Sequence, residues 1–344
     1  MNLAGLVRYA GSLVALAMCA ACGGTLRQAQ GDVAIVPPAA ALSYQYVGKM
    51  LFVNGRPVTA ARPNSMPAPR YAALLPDAQP QSRDYEYVIN FYGSYASIFD
   101  YPKSTQEIGQ INNVGGQGCT NVLYGYGERS FWIVAAYNQI TLYRVPKRPI
   151  RTLAVSIGMP SSCAMDNSGD LAVGILNGSG QGDIVIFKNG TSSGSVFATP
   201  LSAEYFDGYD NQGNLFADGF TSSGKFALVE LPKDSSKFVT ITTSNTVQFP
   251  GSVQWDGTYL TVFDQSSNAT YQYTVSGTKA TLQHTVSYSG ASDCAQTWIV
   301  KGLIYCGDAG NDGGEVFSYP AGGAAVATLT GSFDLPLGVV AAKR

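Results

Sequence analysis

A unit recurring about every 44 residues constrains this chain more than any other feature. Apolar strand starts fall at Tyr87, Phe131, Leu171, Leu215, Leu260 and Leu303, with separations of 44, 40, 44, 45 and 43 residues. A following strand ends in a recurring signature, seen as Phe99-Asp100-Tyr101-Pro102-Lys103, Tyr143-Arg144-Val145-Pro146-Lys147, Val229-Glu230-Leu231-Pro232-Lys233 and Phe317-Ser318-Tyr319-Pro320-Ala321. Apolar and polar residues alternate there as they do in half-buried strands. Two copies align without a gap over nine residues, Cys163 to Leu171 against Asp207 to Leu215. Each pairs an Asp (Asp166, Asp210) with a Gly three residues on (Gly169, Gly213), a tight turn in which glycine supplies the positive φ.

Composition agrees with an all-β chain. The 21 Tyr and 15 Phe suit pleated surfaces, and 39 Gly suit many turns. Units of this length with several short strands mark a propeller blade, so six of them predict a six-bladed β-propeller over residues 84–344. Pro336-Leu337-Gly338-Val339-Val340-Ala341 reads as the first strand of the blade whose remaining strands begin at Tyr87, so the C-terminal strand closes the ring. A two-sheet sandwich also has many short strands, but it has no need of an internal repeat. On these residues the repeat resembles the NHL and SMP-30/gluconolactonase-like six-bladed group.

Ahead of the repeat, residues 22–83 are rich in Ala and Pro, as in Val36-Pro37-Pro38-Ala39-Ala40, which fits a tether. Within it, Lys49 to Val58 carries an apolar run reaching an Asn54-Gly55 turn, a candidate small hairpin. Residues 1–21 read as a signal peptide, with Arg8 before a short apolar stretch from Leu13 to Ala21. Cys19-Ala20-Ala21-Cys22-Gly23-Gly24 resembles a bacterial lipobox, which implies lipidation of Cys22 and anchoring at the outer membrane or in the periplasm. Cys19 stands where such boxes usually carry Leu, so cleavage without lipidation, giving a secreted chain, stays open. Several acyl chains anchor durably, since each buried methylene contributes about 0.8 kcal/mol.

Four cysteines remain, Cys119, Cys163, Cys294 and Cys306. Cys119 and Cys163 precede successive units at matching positions, and Cys294 and Cys306 flank one hairpin, which suggests bonds 119–163 and 294–306. Four free thiols are the alternative.

Catalytic constellations are sparse. The one His, His284, lies on an expected outer strand, where it cannot serve a catalytic thiol, and the absence of Cys/His groupings disfavours zinc. The net charge of −2 without a basic run argues against nucleic acid. Gly190 to Gly194 spells a nucleophile-elbow pattern without its helix or triad. The SMP-30 resemblance implies a central calcium held by carboxylates and amides from inner strands, polarising a lactone or ester carbonyl. Glu204, Asp207 and Asp293 are the candidate ligands, beside Asn121, Asp166 and Asp256. The segment Asp308 to Gly313 reads as a solvated turn. Trp132, Trp255 and Trp298 can stack on sugars at a rim or pack in the core.

Three functions follow as expectations. The leading one is a monomeric, non-enzymatic, membrane-tethered propeller presenting loops or a pocket to a protein, peptide or glycan of the cell envelope, without cofactor. The alternatives are a calcium-dependent lactone or ester hydrolase and a structural envelope scaffold.

Overall fold

The computed structural model describes residues 44–47, 50–53, 56–57, 84–120, 130–135, 138–155, 157–176, 182–190 and 193–343. Cys22, Asn121 and most of residues 22–83 lie outside these. Among the described residues ahead of Asp84, Tyr44–Val47, Met50–Val53 and Arg56–Pro57 form an antiparallel three-stranded sheet.

From residue 84 onward the described chain is all-β except for one 3-10 turn at Lys188–Gly190. The strands form a propeller-like arrangement of sheets, built mostly from strands consecutive in the chain and paired antiparallel. One four-stranded sheet runs Pro336–Lys343, Asp84–Asn90, Tyr95–Phe99, Glu107–Asn112. A second runs Val114–Cys119, Ser130–Ala135, Gln139–Arg144, Arg148–Ala154. The third runs Met159–Met165, Leu171–Leu176, Asp183–Phe187, Gly194–Ala198.

Next comes a nine-stranded sheet in which two four-stranded runs, Ala203–Thr243 and Val253–Ser289, meet at their outermost strands. Thr242 and Thr243 pair there in parallel with Lys279 and Ala280. The ninth strand, Gly323–Ala324, pairs with Tyr288 and Ser289. The remaining four-stranded sheet is Cys294–Val300, Leu303–Asp308, Gly313–Ser318, Ala327–Leu329.

The repeat read from the sequence is the register of this structure. Tyr87 and Phe131 lie within the second strand of their sheets, and Leu171, Leu215, Leu260 and Leu303 open theirs. The aspartate–glycine turns lie between first and second strands. Asp166 Oδ1 accepts the Ser168 and Asp170 amides at 2.9 and 2.7 Å, and Asp210 Oδ1 accepts those of Gln212 and Asn214 at 2.8 and 2.9 Å. Gly169 and Gly213 both have φ of 88°, a conformation that L side chains rarely adopt.

The last strand pairs with Asp84–Asn90 from Pro336↔Asn90 to Lys343↔Asp84. Both ends of the repeat region thus share one sheet, and the inner edge of Asp84–Asn90 is hydrogen-bonded. Sheets pack face to face through large apolar side chains. The Tyr87 and Phe131 rings lie 4.0 Å apart, and the Tyr87 hydroxyl donates to the Pro146 carbonyl at 2.8 Å. Burying rings of this size, with the phenol bonded, is the main source of cohesion between neighbouring sheets.

Two disulfides complete the frame, Cys119–Cys163 between first strands of neighbouring sheets and Cys294–Cys306 within one sheet. They fit an extracellular or periplasmic location.

Candidate functional site

The first strands of the sheets stand side by side around a common axis, so the side chains and backbone that face inward there decide whether a channel exists. Gln117 and Gln296 reach across it. Gln117 Nε2 donates to the Tyr205 carbonyl at 3.0 Å, spanning from the second sheet to the nine-stranded one. Gln296 Nε2 donates to the Gly118 carbonyl at 2.8 Å, while its Oε1 accepts the amides of Gly118 at 3.1 Å and Val339 at 2.8 Å. Small residues let the strands come this close. A Cβ on Gly208 would collide with the Val253 carbonyl, and one on Gly338 with the Gly116 carbonyl.

Beyond these two side chains, where first strands turn into second strands, a cavity of about 30 Å³ remains. Its lining includes Thr120, Cys163, Met165, Asp207, Trp255 and Trp298. The repeat explains the mixture. Cys163, Asp207 and Val253 each pair with the residue two positions into the second strand, Val173, Ala217 and Val262, and so occupy one register position. In the third sheet that position is spent on the bond to Cys119, in the fifth run it is apolar, and in the fourth it holds a carboxylate.

Asp207 is only 6% exposed, and both of its oxygens are shut off from solvent. Ser162 lies close, but its hydroxyl donates to Glu204 Oε1 at 2.8 Å. Glu204, fully buried, also accepts the Ser161 hydroxyl on Oε2 at 2.9 Å. It lies against the bare backbone of Gly174, where a Cβ would overlap both its Oε2 and the Ser162 hydroxyl. Burial pushes the Glu204 carboxyl up to about 7, against the lowering effect of the two serine hydrogen bonds.

Burial, and then the charge of Glu204, hold Asp207 well above the usual carboxylate range, against the lowering effect of the Ser162 hydroxyl and of its own backbone amide. Asp218 on the next strand is raised for the same two reasons, although its Oδ2 accepts the Gly251 amide at 3.2 Å. Among the described residues no Lys or Arg forms an ion pair with any of these three. A further buried acid, Glu86, has neither oxygen hydrogen-bonded, and burial raises it strongly.

The structure separates the expected calcium ligands. Glu204 and Asp207 share the strand Ala203–Tyr209, whereas Asp293 precedes Cys294–Val300, at the end of that strand remote from the cavity. Their oxygens do not come within 4.8 Å of one another as a group. The acid and thiol atoms that do, among the described residues, belong to Cys294, Cys306 and Asp308. The two sulfurs are bonded together, and Asp308 accepts the amides of Ser292, Asp293, Gly310 and Asn311 at 2.7 to 3.1 Å. That group is a loop clamp rather than a metal centre. Gly310, Asn311 and Asp312 are exposed, as a solvated turn requires, but Asp308 at its start is fully buried.

Asp166 and Asp256 are occupied by their turns. His284 is exposed on the outer strand Lys279–Ser289, edge-on to Tyr259. Trp132 is packed in the core, while Trp255 and Trp298 border the cavity. The sequence reading missed Asp218, Glu86 and the two axial glutamines.

No protein-family model matches the chain, and no curated protein matches it. Solved structures do. A protein of unknown function from Bacteroides caccae superposes with a TM-score of 0.56 at 11% identity, over 76% of this chain and 100% of that one. A chain of a nidogen/laminin complex gives 0.57 at 12% identity, over 75% and 98%. At such identities the likeness concerns the fold alone.

Proposed function

We propose that this chain is an exported, membrane-tethered six-bladed β-propeller that acts as a binding module in the cell envelope. The six blades are the four separate four-stranded sheets and the two runs of the nine-stranded sheet, joined only at their outer rims. Residues 1–21 are the signal peptide, Cys22 the lipidated terminus, and residues 22–83 the tether. The repeat's resemblance to the NHL and SMP-30-like group supports the blade count, and the disulfides support export.

One observation carries the binding role. Bonded glutamines cross the axis, yet at one end a cavity remains, walled by Trp255, Trp298, Met165 and the Cys119–Cys163 bridge with Thr120 and Gln254 as polar neighbours. A concave site with mostly apolar and aromatic walls and a few polar groups is where a ligand binds.

Two experiments test the reading. Mass spectrometry of the mature N-terminus, with Cys22→Ser as control, reads the anchor: a diacylated or triacylated Cys22 supports it, and cleavage without acylation overturns it. A photo-crosslinking amino acid at Trp255, compared with one at the outer-strand residue Ile150, reads the binding face in intact cells. Products from position 255 alone support the cavity; products from position 150 alone overturn it.

A further inference from the structure

We propose that the rim shared by the first two sheets docks on the anionic phosphate surface of the bilayer that carries the anchor. This rests on reading residues 22–83 as a membrane tether, and it follows from charge, shape and the place where that tether meets the propeller.

Charge comes first. Arg144, Lys147, Arg148 and Arg151 stand within eight residues of a chain whose net charge is −2. Spaced along the sequence they make no unbroken run, but the hairpin joining Gln139–Arg144 to Arg148–Ala154 gathers them. All four are exposed, and Arg148 is the direct cross-strand partner of Arg144. Like charges set opposite each other weaken a hairpin. Among the described residues no carboxylate forms an ion pair with any of the four, and Arg151 donates only to the Gly190 carbonyl, at 2.6 Å. An anion from outside the chain relieves that repulsion.

Shape adds apolar surface. In the outermost strands of these two sheets one residue is bulged out of the pairing at an equivalent place. Ile108 lies between the pairs Phe99↔Glu107 and Ile98↔Gly109, and Ile150 between Tyr143↔Pro149 and Leu142↔Arg151. The two side chains are 53% and 47% exposed. Edge strands carry cations and bulges to deter pairing with other strands, but a polar residue at the bulge serves that purpose and isoleucine does not. Lys147 joins the two strands into one patch, since its Nζ lies 3.9 Å from where a Cβ on Gly109 would stand, beside Ile108. Glu107, the acid of that strand, is turned to the Ser332 amide at 2.8 Å.

Isoleucines flanked by unpaired cations match a bilayer interface, where apolar side chains enter the headgroup boundary and cations meet phosphates. A soluble polyanion satisfies the cations alone and leaves both isoleucines in water.

The topology supplies the approach. The tether ends at Asp84, and because Glu86 pairs with Phe99, it enters the first sheet at the end where Tyr95–Phe99 turns toward Glu107–Asn112. The 144–148 hairpin is the same turn of the next sheet, and the Tyr87 hydroxyl holds its Pro146 carbonyl at 2.8 Å. Tether entry and patch thus share one face of the propeller.

The test uses the mature chain, residues 22–344, with Cys22→Ser so that no acyl chain contributes. It is sedimented with vesicles of phosphatidylcholine alone or of equal parts phosphatidylcholine and phosphatidylglycerol. Selective binding to the anionic vesicles, lost at about 0.5 M salt, is expected. Each cation close to such a surface contributes about fivefold in partitioning, so Arg144→Gln/Lys147→Gln/Arg148→Gln lowers it about a hundredfold. Lys225→Gln/Lys233→Gln/Lys279→Gln removes the same charge from exposed lysines of the nine-stranded sheet's region and leaves binding unchanged. Ile108→Ser/Ile150→Ser weakens binding several-fold with its salt dependence intact.

Equal binding to both vesicles overturns the proposal, as does an equal loss in the two triple variants. Undiminished binding by a natively melting Ile108→Ser/Ile150→Ser chain also overturns it, and with capture of poly-L-glutamate points to an acidic protein instead. An acylated Cys22 without selective vesicle binding drops the docking surface and leaves the tether. Selective binding by a chain whose Cys22 proves unacylated in cells keeps the surface and drops the anchor. On this account a crosslinker at position 150 yields lipid adducts, separated by mass from protein or glycan products at position 255.

Discussion

The Gln296 carboxamide grips the Gly118 backbone from across the axis, donating to its carbonyl at 2.8 Å and accepting its amide at 3.1 Å. The same oxygen accepts the Val339 amide, so one side chain ties three inner strands together. Gln296→Leu keeps the volume and strands three main-chain groups, each worth about 1–3 kcal/mol when left unmet. Chemical denaturation should show a loss of about 3 kcal/mol or more for Q296L. A loss under about 1 kcal/mol would mean that water replaces the amide without penalty.

Removing the two disulfides should have unequal effects. The bonds close loops of 44 and 12 residues. On the chain-entropy model the longer one stabilises by about 1 kcal/mol more. Guanidinium unfolding of Cys119→Ala/Cys163→Ala against Cys294→Ala/Cys306→Ala measures the difference, and the reverse order would contradict a purely entropic account.

Glu204 should impose a pH slope on stability. Its carboxyl titrates near 7 in the folded chain against 4.5 for the free group, so between those values the folded state holds the proton and the unfolded state does not. The stabilisation it gives is complete below about pH 4.5 and is lost as pH rises through about 7. Melting temperatures from pH 4 to 8 should therefore fall more steeply for the wild-type chain than for Glu204→Gln. Parallel curves would show that Glu204 stays ionised throughout.

Asp264 and Asp308 perform the same service in successive runs of strands. Asp264 accepts the Gln248 and Phe249 amides at 3.1 Å, and Asp308 those of Ser292 and Asp293 at 2.7 and 2.8 Å. Each fastens the loop that leads into its own sheet's first strand. Alanine at either position should cost about 2 kcal/mol or more and should raise amide exchange at 248–249 or 292–293 before elsewhere.

Deleting residues 336–343 should destabilise every sheet, since it uncovers Asp84–Asn90 along its full length and removes Val339 and Val340, both fully buried. The truncated chain is expected to aggregate or to melt well below the intact one. Unchanged cooperative unfolding would show that the first sheet stands on three strands.

The architecture was legible because the repeat is local. Tyr87, Phe131 and their counterparts report a strand each, and Asp166 and Asp210 report a turn within four residues of themselves. The disulfide partners were legible for a similar reason, their positions within the units. What lay hidden depends on side chains crossing between sheets. The partners of Glu204 are Ser161 and Ser162, more than 40 residues upstream, and no spacing rule connects them. Gln296 looks like any polar residue of a strand until Gly118 faces it. A usable signal did exist for the buried acids, because Glu204 and Asp207 punctuate the otherwise apolar and aromatic run Ala203 to Tyr209. The same reasoning failed for Asp293, which precedes its strand.

The pairing of Pro336–Lys343 with Asp84–Asn90 also sets a timetable. A chain made from its N-terminus completes its opening sheet last, after more than two hundred further residues have been synthesised. Until then one edge of Asp84–Asn90 is an open template for any extended segment nearby, including the same strand of another copy. Rapid delivery of Pro336–Lys343, or a holdase that shields that edge in the interval, is therefore as much a condition of reaching the native state as any contact within it.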